Sequence, residues 1–201
     1  MMPSPRSAKN PWEDHYTQKA RKEHFPARSV FKLQEIQQKV QLIRKGDRVL
    51  DLGCSPGSWL MLAATLTGPA GSVVGIDIKP VTVSLPGFVQ VFTADMLALP
   101  DAVSESIGRQ FHVVISDMAP STTGSRSVDA ARSLDLCRAA LETAQYRLLP
   151  GGTFVCKIFQ GEDSGAFIQE VKSLFHKHRI FKPQSSRKAS REIYIIGLNK
   201  K

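Results

Sequence analysis

Val49-Leu50-Asp51-Leu52-Gly53-Cys54-Ser55-Pro56-Gly57-Ser58-Trp59 reads as an apolar strand that passes through a glycine-containing turn into a helix continuing to Leu66. Gly53 and Gly57 carry no Cβ, so the backbone is free to turn sharply and a ligand is able to approach it closely. The dinucleotide fingerprint GxGxxG is missing, and so is the Lys-Ser/Thr ending of a phosphate-binding P-loop. The turn is therefore expected to open a nucleotide-type site of another kind, at the carboxyl end of a parallel strand.

The same alternation of strand and helix spreads outward from this stretch. Upstream, Leu33, Ile36, Val40 and Ile43 recur at helical spacing and predict an amphipathic helix over 27–43, with Lys32 and Glu35 near its edge. Downstream, apolar runs predict strands over 72–78, 88–92, 112–116 and 153–159. Between them lie helical patterns over 101–107 and 127–148, the second stopped by Pro150-Gly151-Gly152. A further helix is marked by Phe167, Ile168, Val171, Leu174 and Phe175, and short strands near 180–182 and 192–198 close the chain. Apolar strands alternating with helices form a parallel sheet covered on both faces. The last two strands are joined by a loop too short for a crossover, so they pair antiparallel. The expected fold is Rossmann-like α/β: a mostly parallel seven-stranded sheet with a C-terminal antiparallel hairpin and helices on both faces. Residues 1–12, polar and proline-containing, read as a flexible N-terminal arm, and 13–201 as a single domain.

Composition narrows the setting. No apolar run approaches the roughly 18 residues of a membrane span, and the N-terminus lacks the apolar core of a secretory signal, so a cytoplasmic protein without a membrane partner is expected. Cys54, Cys137 and Cys156 are odd in number, far apart and without a CxxC pair. They read as buried reduced thiols rather than as a disulfide framework or a zinc site. The net charge is +9 and unevenly spread: residues 1–45 hold ten Lys/Arg against four Asp/Glu, and 166–201 hold nine against two. The middle, 46–165, is acidic, with eight against twelve. An acidic centre between two basic flanks suits a polyanionic partner if the flanks meet in space.

The strand ends carry the candidate ligands. Asp77 closes Val73-Val74-Gly75-Ile76-Asp77, where a carboxylate is able to accept both hydroxyls of a ribose, and Asp95 follows Val91-Phe92-Thr93-Ala94, where it is able to accept from an exocyclic amine. With the Gly53 turn, three successive strands end in groups suited to an adenosine without phosphates, and S-adenosyl-L-methionine fits that pattern. After the fourth strand comes Ser116-Asp117-Met118-Ala119-Pro120, without the Asn/Asp-Pro-Pro-aromatic motif of amino-methylating enzymes or the nucleophilic cysteine of cytosine C5 enzymes. What remains is Asp117 and a lysine, Lys157, inside the otherwise apolar Phe154-Val155-Cys156-Lys157-Ile158-Phe159. A lysine there is costly to bury unpaired, so it needs a partner or a chemical task.

These motifs, together with Tyr16, the segment Ser29 to Ile36, Lys182-Pro183-Gln184-Ser185-Ser186-Arg187 and Ser190-Arg191-Glu192-Ile193-Tyr194, resemble the FtsJ/RrmJ family of ribosomal RNA 2′-O-ribose methyltransferases over 10–198. The resemblance implies a catalytic set of Lys32, Asp117, Lys157 and Glu192, with Lys157 as the base. It implies cofactor contacts at Gly53, Gly57, Trp59, Asp77, Asp95 and Asp117, with S-adenosyl-L-homocysteine as product. Cys54-Ser55 stands where Ala-Ala is more usual, and Ser121 where an Asn is, and neither change removes a catalytic group. A lysine acts as a base only in its neutral form, which burial and neighbouring cations favour and carboxylates oppose. Lys32 lies in the N-terminal basic flank and Glu192 in the C-terminal one, so a shared site requires the flanks to converge. That makes Lys19, Arg21, Lys22, Arg28, Arg187, Lys188 and Arg191 candidates for RNA-backbone contacts. The implied target is a uridine of large-subunit (23S) ribosomal RNA, within the large ribosomal subunit, modified by a monomer that does not act on DNA. The alternatives are the same reaction on transfer RNA or another RNA, or a ribosome-assembly factor without catalysis.

Overall fold

A computed structural model describes residues 15–187 and 189–201; the expected arm over 1–12 and the candidate Lys188 lie outside the described residues. The chain runs α1 (His15–Lys22), α2 (Val30–Val40), β1 (Arg48–Leu52), α3 (Ser58–Thr67), β2 (Ser72–Asp77), β3 (Val89–Thr93), a short 3-10 turn (Met96–Ala98) and α4 (Asp101–Ile107). It continues with β4 (Phe111–Ser116), α5 (Arg126–Arg147), β5 (Leu148–Phe159), α6 (Ser164–Leu174), β6 (Phe175–Phe181) and β7 (Glu192–Lys200).

All seven strands form one sheet in the order β3-β2-β1-β4-β5-β7-β6. β1 pairs in parallel with β2 and β4, β2 with β3, and β4 with β5, whereas β7 runs antiparallel to both β5 and β6. The strand order reverses between β1 and β4, and in an open α/β sheet the crevice outside the carboxyl ends at that point is where ligands bind.

Alternation along the central strands divides their side chains between two cores. Val49, Ile115, Val155 and Tyr194 pack with Val30, Leu33, Ile36, Trp59 and Leu60 on the α1–α3 side. Leu50, Leu52, Val114, Phe154, Cys156 and Ile158 pack with Leu134, Leu141, Phe167 and Val171 on the α5–α6 side. A period of two is what a sheet buried on both faces imposes, and it fixes which side of β5 Lys157 occupies: that of Val155, facing α2.

Three elements differ from the sequence expectation, the first being β5, which begins at Leu148 and takes in the Pro150-Gly151-Gly152 expected to precede it. Helix α1 was not foreseen, because it buries only Ala20 and so shows no apolar stripe; it is held through Tyr16, whose ring lies 5.6 Å from that of Phe31. Strand β6 is longer than the short strand expected near 180–182, and takes Phe175 from the expected helix. Its run His176-Lys177-His178-Arg179 is the polar composition of an edge strand, which shields its open side with charge and does not read as a strand from hydropathy. The three cysteines are buried and free, as expected.

Candidate active site

Lys157 is the point from which the site is built. On the antiparallel β5–β7 pair it stands directly opposite Tyr194, so both side chains project to the same face. Both reach the end of β4: the Lys157 ammonium lies 3.0 Å from Asp117 Oδ1 and donates to the Asp117 carbonyl at 2.6 Å, while the Tyr194 hydroxyl donates to Asp117 Oδ1 at 2.5 Å. Burial acts to raise the Asp117 pKa, but Lys157, Lys32 and the hydrogen bond from Tyr194 outweigh it and hold the carboxyl below its ordinary value. Burial, followed by the charges of Asp117 and Glu192, pushes the Tyr194 phenol well above its usual range, so it stays a neutral donor.

The second pair comes from the two basic flanks. Lys32, in the first turn of α2, places its Nζ 2.8 Å from Glu192 Oε1 at the start of β7 and 5.9 Å from the centre of the Tyr194 ring. Lys32, Lys157 and Glu192 are each more than nine-tenths buried. A charge-assisted, nearly dry arrangement of two cations and two carboxylates is expensive to desolvate, and is kept where its charges have work to do. The expected convergence of the two flanks thus occurs at Lys32 and Glu192. The loop between β6 and β7 fastens it: Glu35 accepts from the backbone N–H groups of Gln184 (2.6 Å) and Ser185 (2.9 Å), and the Arg28 guanidinium donates to the Ser185 carbonyl.

This clamp carries a prediction. Hydrogen bonds to a charged acceptor each contribute about 1.5–3 kcal/mol. Glu35→Gln removes the charge and leaves one amide N–H group facing a backbone donor. The loop over 182–191 is expected to exchange its amide hydrogens faster, and kcat for methyl transfer to fall about tenfold as Glu192 loses its fixed position, about 1.4 kcal/mol, while donor affinity is unchanged. Equal exchange and equal kcat in the variant would remove the clamp from the account.

Beside the tetrad, a cavity of about 590 Å³ opens at the carboxyl ends of β1, β2 and β4. Its lining includes Gly53, Asp77, Asp95, Asp117, Met118 and, from α5, Arg132 and Asp135. Gly53 has φ +79°, and a Cβ there would lie 2.5 Å from Met118 Cγ, so this position requires glycine. The Asp77 carboxylate accepts from Ser55 N–H (2.9 Å) and Lys79 N–H (2.8 Å), and Asp95 Oδ1 from Leu97 N–H (2.9 Å), which aims both acids by backbone contacts. Four carboxylates, Asp77, Asp95, Asp117 and Asp135, face two cations, Lys79 and Arg132, so the cavity favours a positively charged ligand. Asp51, fully buried on β1 with neither oxygen hydrogen-bonded among the described residues, is pushed well above the carboxylate range by burial and then by Asp117 and Asp77.

Two expected cofactor residues do not line this cavity. A Cβ on Gly57 would run into the side chains of Val83 and Val81 at 2.6 and 3.0 Å, so its glycine serves chain packing. Trp59 is buried on α3, donates from Nε1 to the Ser29 carbonyl at 2.8 Å and packs against Tyr194 at 5.9 Å. It braces the tetrad from behind. Among the RNA-contact candidates, Lys19 stacks on Phe31 (4.6 Å) and pairs with Glu23 (3.8 Å), Arg28 lies 5.5 Å from the Tyr16 ring, and Arg191 donates to the carbonyls of Gln160 and Arg126. Lys22, Arg21 and Arg187 are exposed. Sequence reasoning gave Tyr194 no role and named none of the α5 residues at the cavity. Tyr194 follows Glu192 at the two-residue spacing of one strand face, which was a usable signal; Arg132 and Asp135 sit on a helix whose placement only the fold reveals.

A sequence model described as FtsJ-like methyltransferase matches residues 25–200 of the chain. The chain belongs to the FtsJ-like methyltransferase family. Its match with a protein named ribosomal RNA large subunit methyltransferase E from Desulforapulum autotrophicum is 58% identical over 193 residues, covering 96% of this chain and 95% of that one. With the protein of the same name from Desulfatibacillum aliphaticivorans it is 53% identical over 200 residues, covering 100% and 97%. A crystal structure from Plasmodium falciparum, named as a ribosomal RNA methyltransferase, superposes with a TM-score of 0.76 at 23% identity, over 88% of this chain and 98% of that one, which supports the fold. The methyltransferase is an enzyme, and its acidic cavity and buried tetrad share Asp117, which is both cavity wall and partner of Lys157.

Proposed function

We propose that this methyltransferase transfers a methyl group from S-adenosyl-L-methionine to a ribose 2′-hydroxyl of large-subunit (23S) ribosomal RNA, at a uridine, with Lys157 as the base. The observation that carries the reading is the Lys157–Asp117 pair at the mouth of a cavity suited to a cationic adenosine. Asp77 is suited to the ribose hydroxyls of the cofactor, Asp95 to its adenine amine, and Gly53 with Asp117 to the end that bears the methyl group. When bound, S-adenosyl-L-methionine supplies an electrophilic methyl carbon and leaves as S-adenosyl-L-homocysteine. Lys157 acts in its neutral form: its amine lone pair takes the proton of the 2′-hydroxyl as the hydroxyl oxygen bonds to that carbon, Asp117 holds the Lys157 amine in line, and Lys32 with Glu192 orients the hydroxyl.

Alternative chemistries fit the residues less well. The loop Asp117-Met118-Ala119-Pro120 carries no thiol for attack on a base, and Cys54, on the cofactor turn, is pushed far above its usual range by burial and by Asp51 and Asp77. The basic candidates Lys19, Arg21, Lys22, Arg28, Arg187 and Arg191, with Lys188 outside the described residues, are suited by their charge to the RNA backbone. The enzyme is proposed to work as a single-domain, cytoplasmic monomer; among the described residues no helix is long and apolar enough to cross a membrane. The relatives named for the large subunit support that substrate over transfer RNA.

The test is transfer of labelled methyl to large subunits, small subunits and transfer RNA, all purified from cells lacking the enzyme. Label is expected in large-subunit RNA alone. Label in transfer RNA instead would move the reaction to another substrate, and no label from intact enzyme would return the reading to an assembly factor.

A further inference from the structure

A second cavity, of about 460 Å³, opens at the end of β5 on the α5–α6 side and shares no lining residue with the first. The two are divided by the start of α5, which turns Arg132, Asp135 and Leu136 to the first and Ser127, Ala130, Ala131 and Leu134 to the second. The floor of the second is apolar, with Leu134, Ile158, Phe159 and the two alanines, and its rim carries Arg126 and Arg191 together with Glu162 and Asp163. Phe159 pairs in register with Glu192, so this cavity borders the tetrad at its Glu192 end.

We infer that this cavity is a subsite for the nucleotide next to the methylated one in the RNA strand. The inference rests on the ribose-methylation reading, because it needs a strand whose reacting ribose lies at Lys157. Single-stranded RNA is read by stacking bases on apolar or aromatic surfaces while cations take the backbone. A volume within the roughly 300–1,000 Å³ of ligand pockets suits one nucleotide. The base rests on the Leu134 and Ile158 floor, Glu162 and Asp163 accept from its N–H groups, and its phosphate meets Arg126 and Arg191. Arg191 is already aimed, since it donates to the carbonyls of Gln160 (3.3 Å) and Arg126 (3.1 Å) and so enters the site without further ordering. Arg191 also immediately precedes Glu192, so seating the neighbouring phosphate is coupled through one peptide to the residue that orients the hydroxyl.

Two variants test the subsite without touching the tetrad. Ala131 is exposed on the cavity wall, so Ala131→Phe fills the space from an outward helix position; Arg126 is exposed on the rim, so Arg126→Gln removes one charge. The probes are a fluorescein-labelled single-stranded RNA octamer, titrated by anisotropy at several salt concentrations, and large subunits from cells lacking the enzyme. Ala131→Phe is expected to weaken the octamer and raise KM for the subunit about tenfold, with donor affinity and melting temperature unchanged, a loss of about 1.4 kcal/mol. Arg126→Gln is expected to make the salt slope of octamer binding shallower by about 0.7, the share of one phosphate contact in single-stranded nucleic acid. Wild-type octamer affinity, salt slope and subunit KM in both variants would overturn the subsite. The ribose reading is judged separately, from where the wild-type enzyme alone places the methyl group in the same subunits.

Discussion

Lys157→Ala is expected to lower the single-turnover rate of methyl transfer by about 10²- to 10⁴-fold, the range of a positioned general base. Binding of the methyl donor should change little, because Lys157 is not among the residues lining the donor cavity. Lys157→Arg separates the two roles the geometry permits. If Lys157 served only as a cation beside Asp117, arginine would keep that charge and restore much of the rate. A guanidinium does not lose its proton in a protein, so an enzyme that needs a base at this position should be as slow with arginine as with alanine. Recovery of the rate in the arginine variant would assign Lys157 to charge balance alone.

The second large effect is expected at Asp117, where the donor cavity and the tetrad meet. Asp117→Asn keeps the shape and an oxygen able to accept from Tyr194, but removes the charge that Lys157 faces at 3.0 Å. Removing one partner of a buried pair costs about 3–5 kcal/mol, so activity should fall by about 10²- to 10⁴-fold, and donor affinity should fall with it. Stability shifts as well, and its sign follows from the lowered pKa of Asp117. A carboxyl held below its ordinary value of about 3.9 stabilises the fold at every pH above that value. The contribution is lost only as pH falls through the lowered folded value. The asparagine variant should therefore melt at a lower temperature than wild type at pH 7, and the gap should close in strong acid. A variant with normal activity at pH 7 and an unchanged melting temperature would contradict the role given to the pair.

The sheet was legible because its strands are buried on both faces: Val73 to Ile76 and Val113 to Ile115 are unbroken apolar runs that only a covered parallel strand explains. The antiparallel finish followed from the short connection into Glu192. Helix α1 and most of β6 were not legible, because each contributes little to the core and is held by contacts, such as Tyr16 on Phe31, that have no period. At the site, Lys157 declared itself by being a lysine in an apolar strand, and Asp77 and Asp95 by closing strands. Gly57 and Trp59 were placed at the cofactor by the resemblance; neither lines the cavity, Gly57 lying against Val81 and Val83 and Trp59 being buried against Tyr194. Tyr194 was passed over because an aromatic residue in an apolar strand reads as packing; only its register with Lys157 shows that its hydroxyl reaches Asp117.

The most direct test of the central claim is the identity of the methylated nucleoside. Large subunits from cells lacking the enzyme are labelled with wild-type enzyme and methyl donor, the RNA is digested completely, and the nucleosides are separated. Label in a 2′-O-methylated nucleoside is the result predicted by a base at Lys157 acting on a ribose hydroxyl. Label on a base would contradict it.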